Sequence, residues 1–163
     1  MADEGISYSN ERHFRETFEN GIADNLLHNI FNDLSVGLEL YDKDGLMKDV
    51  NYSRLRSKGI KDKKDILGYN LFNYTSFSDE IKEQVRKGET VRFMAKYNFD
   101  DVRHLFPTNL SGIKFFDITV SFVHNEKSEI TNYMVISQDV TERVLWQNKY
   151  ANPELILFNT NSF

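Results

Sequence analysis

A regular alternation of apolar and polar residues runs through the second half of the chain and constrains its fold more than any other feature. Residues 91–99 and 116–122 show it, and a shorter apolar segment, 133–136, follows a turn at 124–129. Side chains of a β-strand point alternately to opposite faces, so this period of two predicts three antiparallel strands with one face on a core. The third segment is apolar on both faces, and we expect its second face to meet the N-terminal helix or a partner chain.

Two shorter strands are predicted earlier in the chain. Val36, Leu38 and Leu40 alternate with their neighbours, and another short run follows at residues 46–50. Between the two runs lies the segment 42–45, Asp-Lys-Asp-Gly. Because Asp tolerates turn dihedrals and Gly supplies a positive φ, this segment predicts a hairpin turn.

An amphipathic helix is predicted before the first strand, over residues 12–34. Its apolar side chains recur at steps of four, which places them on one helical face. These side chains are Phe14, Phe18, Ile22, Leu26 and Ile30. We expect Gly21 to divide the helix in two, because Gly weakens a helix interior.

Further helices are predicted over residues 52–58, 63–67 and 78–87, the last with acidic residues in its first turn and basic residues in its last. A final helix is predicted to begin with Asp139 as its N-cap and Glu142 three residues on, which is a variant of the capping box. We expect it to end just before Pro153.

These elements together predict an α+β fold: a five-stranded antiparallel sheet with short helices on one face, an N-terminal amphipathic helix and a C-terminal helix. We divide the chain into a helical extension (1–25), a sheet domain (26–143) and a helix with its tail (144–163). No pattern assigns a role to residues 154–163.

Composition excludes several classes of protein. The chain has no cysteine, which excludes disulfide scaffolds, Cys-ligated zinc and thiol chemistry. Its 25 acidic and 20 basic residues give a net charge of −5, so we expect no nucleic-acid binding. The N-terminus lacks the features of a signal peptide, and no stretch approaches the ~20 apolar residues of a spanning helix. We therefore expect a cytoplasmic protein without membrane insertion.

Motifs for catalysis and metal binding are missing from the sequence. There is no Gly-x-Gly phosphate loop and no Gly-x-Ser-x-Gly nucleophile motif. The four histidines, His13, His28, His104 and His124, do not stand three or four residues apart. The segment 42–45 lacks the further oxygen ligands of a calcium loop. We expect no metal site, no catalytic residues and hence no enzymatic activity in this chain.

Four short motifs resemble those of the PAS sensory domain. They are the hairpin at 36–45, the Val-Asn pair at 50–51, the segment 66–72 with its Leu-Gly pair, and the closing Asp-Val-Thr-Glu-Arg at 139–143. Each motif is short, but the four occur in the family's order. The resemblance covers residues 26–143.

This resemblance implies the input domain of a bacterial two-component sensor histidine kinase. Such domains dimerise through their N-terminal helices and pass a rotation or tilt into the helix after the closing motif. The residues that would relay the signal are Asp139, Thr141, Glu142 and Arg143. A kinase or another output domain would then lie in the same parent chain.

A sheet closed by short helices can also hold a small ligand. The candidate pocket residues are Phe72, Tyr74, Phe93, Tyr97, Phe116, Ile118 and Met134. Simple filling of the core remains the alternative role for these side chains. The ligand is not determined. Haem is disfavoured, because haem-binding PAS domains carry their ligand His on the helix that corresponds to 78–87, which has none. The absence of cysteine excludes a cysteinyl-flavin photocycle.

Two other functions remain open at this point. One is a carrier that binds a lipid or metabolite and relays nothing. The other is a small cone-shaped enzyme of the isomerase or dehydratase kind, which would need a buried general base such as Asp117 with a raised pKa. The alternation places Asp117 opposite Phe116 and Ile118, on the outer face, and so disfavours the enzyme.

Overall fold

A computed structural model of the chain describes residues 20–151, which divide into two units between Leu34 and Ser35. In the described part of the first unit, residues 20–33 form a helix, α1. Gly21 is the second described residue of this helix, and the segment before it, which the expected break would separate, lies outside the described residues. Phe14 and Phe18 fall outside the described residues.

The second unit contains a five-stranded, fully antiparallel sheet, which confirms the predicted α+β fold. The spatial order of the strands is β2-β1-β5-β4-β3. Their bounds are β1 Gly37–Asp42, β2 Met47–Val50, β3 Val91–Asn98, β4 Ile113–His124 and β5 Ile130–Asp139. The first and last strands in the chain, β1 and β5, are therefore neighbours in the middle of the sheet.

Short helices connect the second strand to the third. They are α2 Tyr52–Lys58, two 3₁₀ turns at Lys63–Asp65 and Leu71–Asn73, and α3 Asp79–Arg86. A one-turn helix, α4 Phe99–Val102, follows β3, and α5 Thr141–Ala151 follows β5. Ser78 caps α3, its hydroxyl accepting from the Ile81 amide at 3.3 Å. Within residues 20–151, no helix combines the length and the apolar character needed to cross a membrane.

The hairpin between β1 and β2 turns as the Asp/Gly chemistry predicts. The Asp42 carboxylate accepts from the backbone amides of Asp44 at 3.0 Å and Leu46 at 2.9 Å. These hydrogen bonds are those of an Asx turn, so the side chain satisfies donors that the chain reversal leaves free. The segment is a structural turn.

Two strands present to the core a face that alternation alone did not identify. On β1, Glu39 and Tyr41 are completely buried, whereas Leu38 lies outside the main core cluster. On β5, Tyr133 and Val135 join that cluster, and Met134 points to the opposite face. Both strands carry apolar residues on each face. Their sequence pattern therefore identifies them as strands but does not show which face packs against the helices.

Candidate functional site

Asn51 joins the first strand to the first helix after it. Its side-chain oxygen accepts from the amides of Leu38 at 2.9 Å and Arg54 at 3.0 Å, and its Nδ2 donates to the carbonyl of Val36 at 2.9 Å. The residue therefore caps α2 and holds it against β1 at the same time. This fixes the side of α2 that faces the sheet.

Arg54 and Lys58 stand on that side, one helical turn apart, and reach Glu39 on β1. Arg54 Nε lies 2.7 Å from Glu39 Oε1, and Lys58 Nζ lies 2.9 Å from the same oxygen. All three side chains are at most 3% exposed. We call these three residues, with Tyr41 and Tyr74, the buried charge cluster.

The two tyrosines complete the hydrogen bonding of the cluster. The Tyr41 hydroxyl donates to Glu39 Oε2 at 2.7 Å. The Tyr74 hydroxyl accepts from Lys58 Nζ and lies 3.5 Å from Glu39 Oε1. Burial, together with the nearby Glu39 carboxylate, raises the pKa of both tyrosines, so both remain neutral.

The charges of the cluster do not balance, and the pKa values reflect this. Burial by itself would raise the pKa of Glu39, but Arg54 and Lys58 outweigh it and lower that pKa to about 2. For Lys58 burial prevails over the attraction of Glu39 and lowers the pKa from 10.5 to about 7. Arg54 has its pKa raised, because Glu39 outweighs the effect of burial. One carboxylate thus faces two cationic side chains.

Aromatic rings surround the two cations. The Arg54 guanidinium lies 5.2 Å from the ring centre of Phe116, and Lys58 Nζ lies 4.4 Å from that of Tyr74 and 5.0 Å from that of Phe106. Such cation–π contacts compensate part of the cost of removing a charge from water. Arg54 Nη1 is nevertheless buried without a hydrogen-bond partner.

The candidate pocket residues are only partly brought together. Four are buried in the core, and Phe72 and Phe93 are half-buried against it; the four are Tyr74, Tyr97, Phe116 and Ile118. Their rings pack pairwise, as in the edge-to-face contact of Tyr97 with Phe116 at 6.1 Å. Met134 lies on the other face of the sheet and does not join them.

Sequence reasoning did not single out Glu39, Arg54 or Lys58. The available signal was modest: a glutamate between apolar residues of a strand, and two basic residues four apart on a short helix. Each feature is common on a solvated surface. Only the packing of α2 on β1 brings the three side chains together.

A second feature of the site, which we call the helix clamp, holds the start of α5 to the sheet. The Thr141 hydroxyl accepts from the Phe115 amide at 3.0 Å and donates to Asp139 Oδ1 at 2.6 Å. The Val140 amide donates to the Phe115 carbonyl at 2.9 Å, and Lys114 Nζ lies 2.9 Å from Asp139 Oδ2. The first residues of α5 are thereby registered to β4.

The capping arrangement differs from the one predicted. Asp139 ends β5 and accepts from the Thr141 amide at 3.0 Å, two residues on, so it precedes the N-cap position instead of occupying it. Glu142 and Arg143 are exposed on the first turn of α5. The helix starts one residue later than a capping box would require because Val140 is buried and still bonded to β4.

Asp117 does not meet the requirement of the enzyme hypothesis. Arg92 Nε donates to Asp117 Oδ1 at 2.9 Å, and this hydrogen bond lowers the pKa of the carboxyl. A general base of the kind proposed needs a raised pKa. Between residues 20 and 151, moreover, no three His, Cys, Asp or Glu side chains are grouped so that they could hold a metal ion.

Comparison with known proteins finds similar folds among solved structures. No protein-family model and no curated protein match the chain. An RNA-binding light-oxygen-voltage receptor matches with a TM-score of 0.61 at 21% identity, over 76% of this chain and 35% of that one. The chain therefore spans about a third of that receptor.

Two isolated PAS domains match over nearly their whole length. One comes from an HTR-like protein of Haloarcula marismortui (TM-score 0.57, 15% identity, 77% of this chain, 98% of that one). The other comes from a two-component sensor histidine kinase (TM-score 0.55, 14% identity, 74% of this chain, 98% of that one). At these identities the likeness is one of fold. The strand order, the antiparallel pairing and these matches identify the chain as a domain with the PAS fold.

Proposed function

We propose that the chain is a sensory input module that passes a change in its sheet to α5. The helix clamp carries this proposal. A helix whose first residues are hydrogen-bonded to the central strands moves with them, whereas a helix joined through a flexible linker does not. The PAS fold of the chain, shared with a domain of a sensor histidine kinase, supports the same reading.

The module acts in the cytoplasm, as one domain of a larger sensor whose output is a histidine kinase, and it responds to a small ligand or a partner. Asp139, Thr141, Glu142 and Arg143 form the relay. Three of α5's exposed side chains, Leu145, Trp146 and Tyr150, are large and apolar or aromatic, which suits a helix that packs on a following segment.

The clamp is tested by Thr141→Val, which keeps the shape of the side chain and removes its hydroxyl. We expect a loss of about 1 kcal/mol for the start of α5, typical of a lost hydrogen bond. Amide exchange in the first turns of α5 should then be roughly five-fold faster, since local opening sets the exchange rate. Hydrogen exchange read by mass spectrometry measures it, and fluorescence anisotropy of Trp146, the single tryptophan, should fall.

Thr131→Val is the matched control. Thr131 is also on β5 and donates to the Val123 carbonyl at 3.2 Å, far along the strand from α5. Its loss should leave α5 exchange unchanged. Equal exchange of α5 in wild type and Thr141→Val would remove the coupling on which the proposed function rests.

We further propose that the module dimerises through α1. The helix exposes Ile22, Leu26, Leu27 and Ile30, each about half or more exposed. An apolar stripe of this kind is normally covered in the working protein. We expect a dimer in sedimentation velocity, and a monomer for the double variant Leu26→Glu with Ile30→Glu.

Leu67→Glu serves as the control for the dimer, because Leu67 is an exposed leucine of the sheet unit. That variant should sediment as the wild type does. A wild-type chain that remains monomeric at high concentration would contradict the dimer, and would leave the clamp of α5 untouched.

A further inference from the structure

The buried charge cluster contains one more cation than its anion can neutralise. Glu39 Oε1 accepts from both Arg54 and Lys58, and the remaining oxygen is used by the Tyr41 hydroxyl. A second buried cation without its own counter-ion is costly. Arginine does not give up its proton in a protein. Lysine can lose its proton, so the excess positive charge of the cluster is removed by deprotonation of Lys58.

We propose that Lys58 is a proton-binding site of the folded domain and that the presence or absence of its proton is passed to α5. This proposal rests on the proposed function, because it names the stimulus as a proton. A proton needs no cavity. A proton can therefore be the stimulus here, where the side chains are at most 3% exposed and in direct contact with one another.

The titratable groups of the cluster, together with Tyr97 next to Arg54 and Tyr74, come from several elements, and none of them titrates in the same range as Lys58. Glu39 and Tyr41 lie on β1, Arg54 on α2, Tyr74 after the second 3₁₀ turn, and Tyr97 on β3. The pKa of Glu39 is lowered to about 2, and burial raises the pKa values of the three tyrosines. The pKa of Lys58, lowered to about 7 by burial, is the one near neutrality among these groups.

The two states of Lys58 make different contacts. The ammonium donates to Glu39 and to the Tyr74 hydroxyl and attracts the rings of Tyr74 and Phe106. After the proton leaves to solvent, the neutral amine has a free lone pair. It accepts from the Tyr74 hydroxyl while it still donates to Glu39. The Tyr74 hydrogen bond reverses, and the attraction to both rings weakens.

A continuous set of contacts leads from the cluster to the helix clamp. Glu39 also binds Arg54, and the Arg54 guanidinium lies against the Phe116 ring. The next residue back, Phe115, uses its amide and its carbonyl to hold Thr141 and Val140. Glu39 itself stands opposite Val135 on β5, the strand that runs into Asp139.

The experiment follows Lys58 and α5 in the same samples of the full chain between pH 5.5 and 9. The lysine side-chain ¹³Cε signals are recorded by NMR, and the Lys58 signal is identified by its loss in Lys58→Met. Trp146 anisotropy reports on α5. Lys61→Met, which removes an exposed lysine just after α2, is the control. If Lys58→Met does not fold, ¹³C-labelled wild type with selective assignment decides the titration.

We expect the Lys58 signal to titrate with a midpoint about 7 and the Trp146 anisotropy to change with the same midpoint. The change should vanish in Lys58→Met and persist in Lys61→Met. A Lys58 that stays fully charged up to pH 9 overturns the proton site. A Lys58 that titrates while Trp146 does not respond overturns its role as the stimulus. Neither result affects the clamp, which Thr141→Val tests at a single pH.

Discussion

Replacing Glu39 with Gln is expected to lower the free energy of unfolding by about 3–5 kcal/mol, the usual cost of leaving a buried charge without its partner. The amide keeps the shape of the side chain but cannot neutralise Arg54 and Lys58, which lie 2.7 and 2.9 Å from the same carboxylate oxygen. Urea unfolding at pH 5.5, where Lys58 carries its proton in the wild type, measures the loss by far-ultraviolet circular dichroism.

A second variant separates charge from shape. Glu39→Gln combined with Lys58→Met removes one of the two uncompensated cations, and we expect it to recover about 1–2 kcal/mol of the loss, because contacting residues are coupled. Glu126→Gln, in the exposed turn before β5, should change nothing measurable. A Glu39→Gln protein within about 1 kcal/mol of wild type would contradict the charge argument.

Glu39 also determines how the free energy of unfolding changes at acid pH. The pKa of Glu39 in the folded chain is about 2, against its usual 4.5, so its contribution to stability is complete above pH 4.5. That contribution is lost as the pH falls from 4.5 toward 2. Wild type should therefore lose stability in this interval more steeply than Glu39→Gln does.

Replacing Gly59 with Ala is expected to cost about 2–4 kcal/mol through backbone strain and overpacking together. Gly59 ends α2 with φ at 64°, in the left-handed region. A Cβ there would lie 2.5 Å from Leu110 Cγ and would also overlap the Asn109 side-chain oxygen. The substitution would push the loop that carries Thr108 away from the end of α2, where Lys58 stands. Thermal and urea unfolding measure the change.

Gly68 provides the matched control for that prediction. Its φ is 82°, also left-handed, but a Cβ added there would meet nothing within 4 Å. Gly68→Ala should therefore cost only the backbone part, about 1 kcal/mol. Equal losses in the two variants would mean that packing at Gly59 adds nothing, which would contradict the overlap with Leu110.

Local patterns were sufficient to predict the five strands and the helices α2, α3 and α5, whereas α4 was not predicted and the segment 63–67 forms only a 3₁₀ turn, Lys63–Asp65. The alternation in 91–99 and 116–122 predicted β3 and β4, and the Asp/Gly segment 42–45 predicted the hairpin. These signals are reliable because they depend on the period of a strand and on turn dihedrals, both set by residues close in sequence. The closing motif at 139–143 marked the start of α5, although Asp139 stands one residue before the N-cap.

Other properties were decided only by tertiary structure. Alternation with a period of two shows that successive side chains point to opposite faces, but it does not show which face meets the helices. The inward position of Glu39 on β1 and the outward position of Met134 on β5 were therefore decided by packing. The buried charge cluster joins residues 15 and 35 positions apart in sequence, Glu39 with Arg54 and with Tyr74. In a sequence, a charged side chain is normally assigned to the surface, because burying it costs free energy. That cost is offset only where the folded chain supplies hydrogen-bond and ion-pair partners, which the sequence does not show.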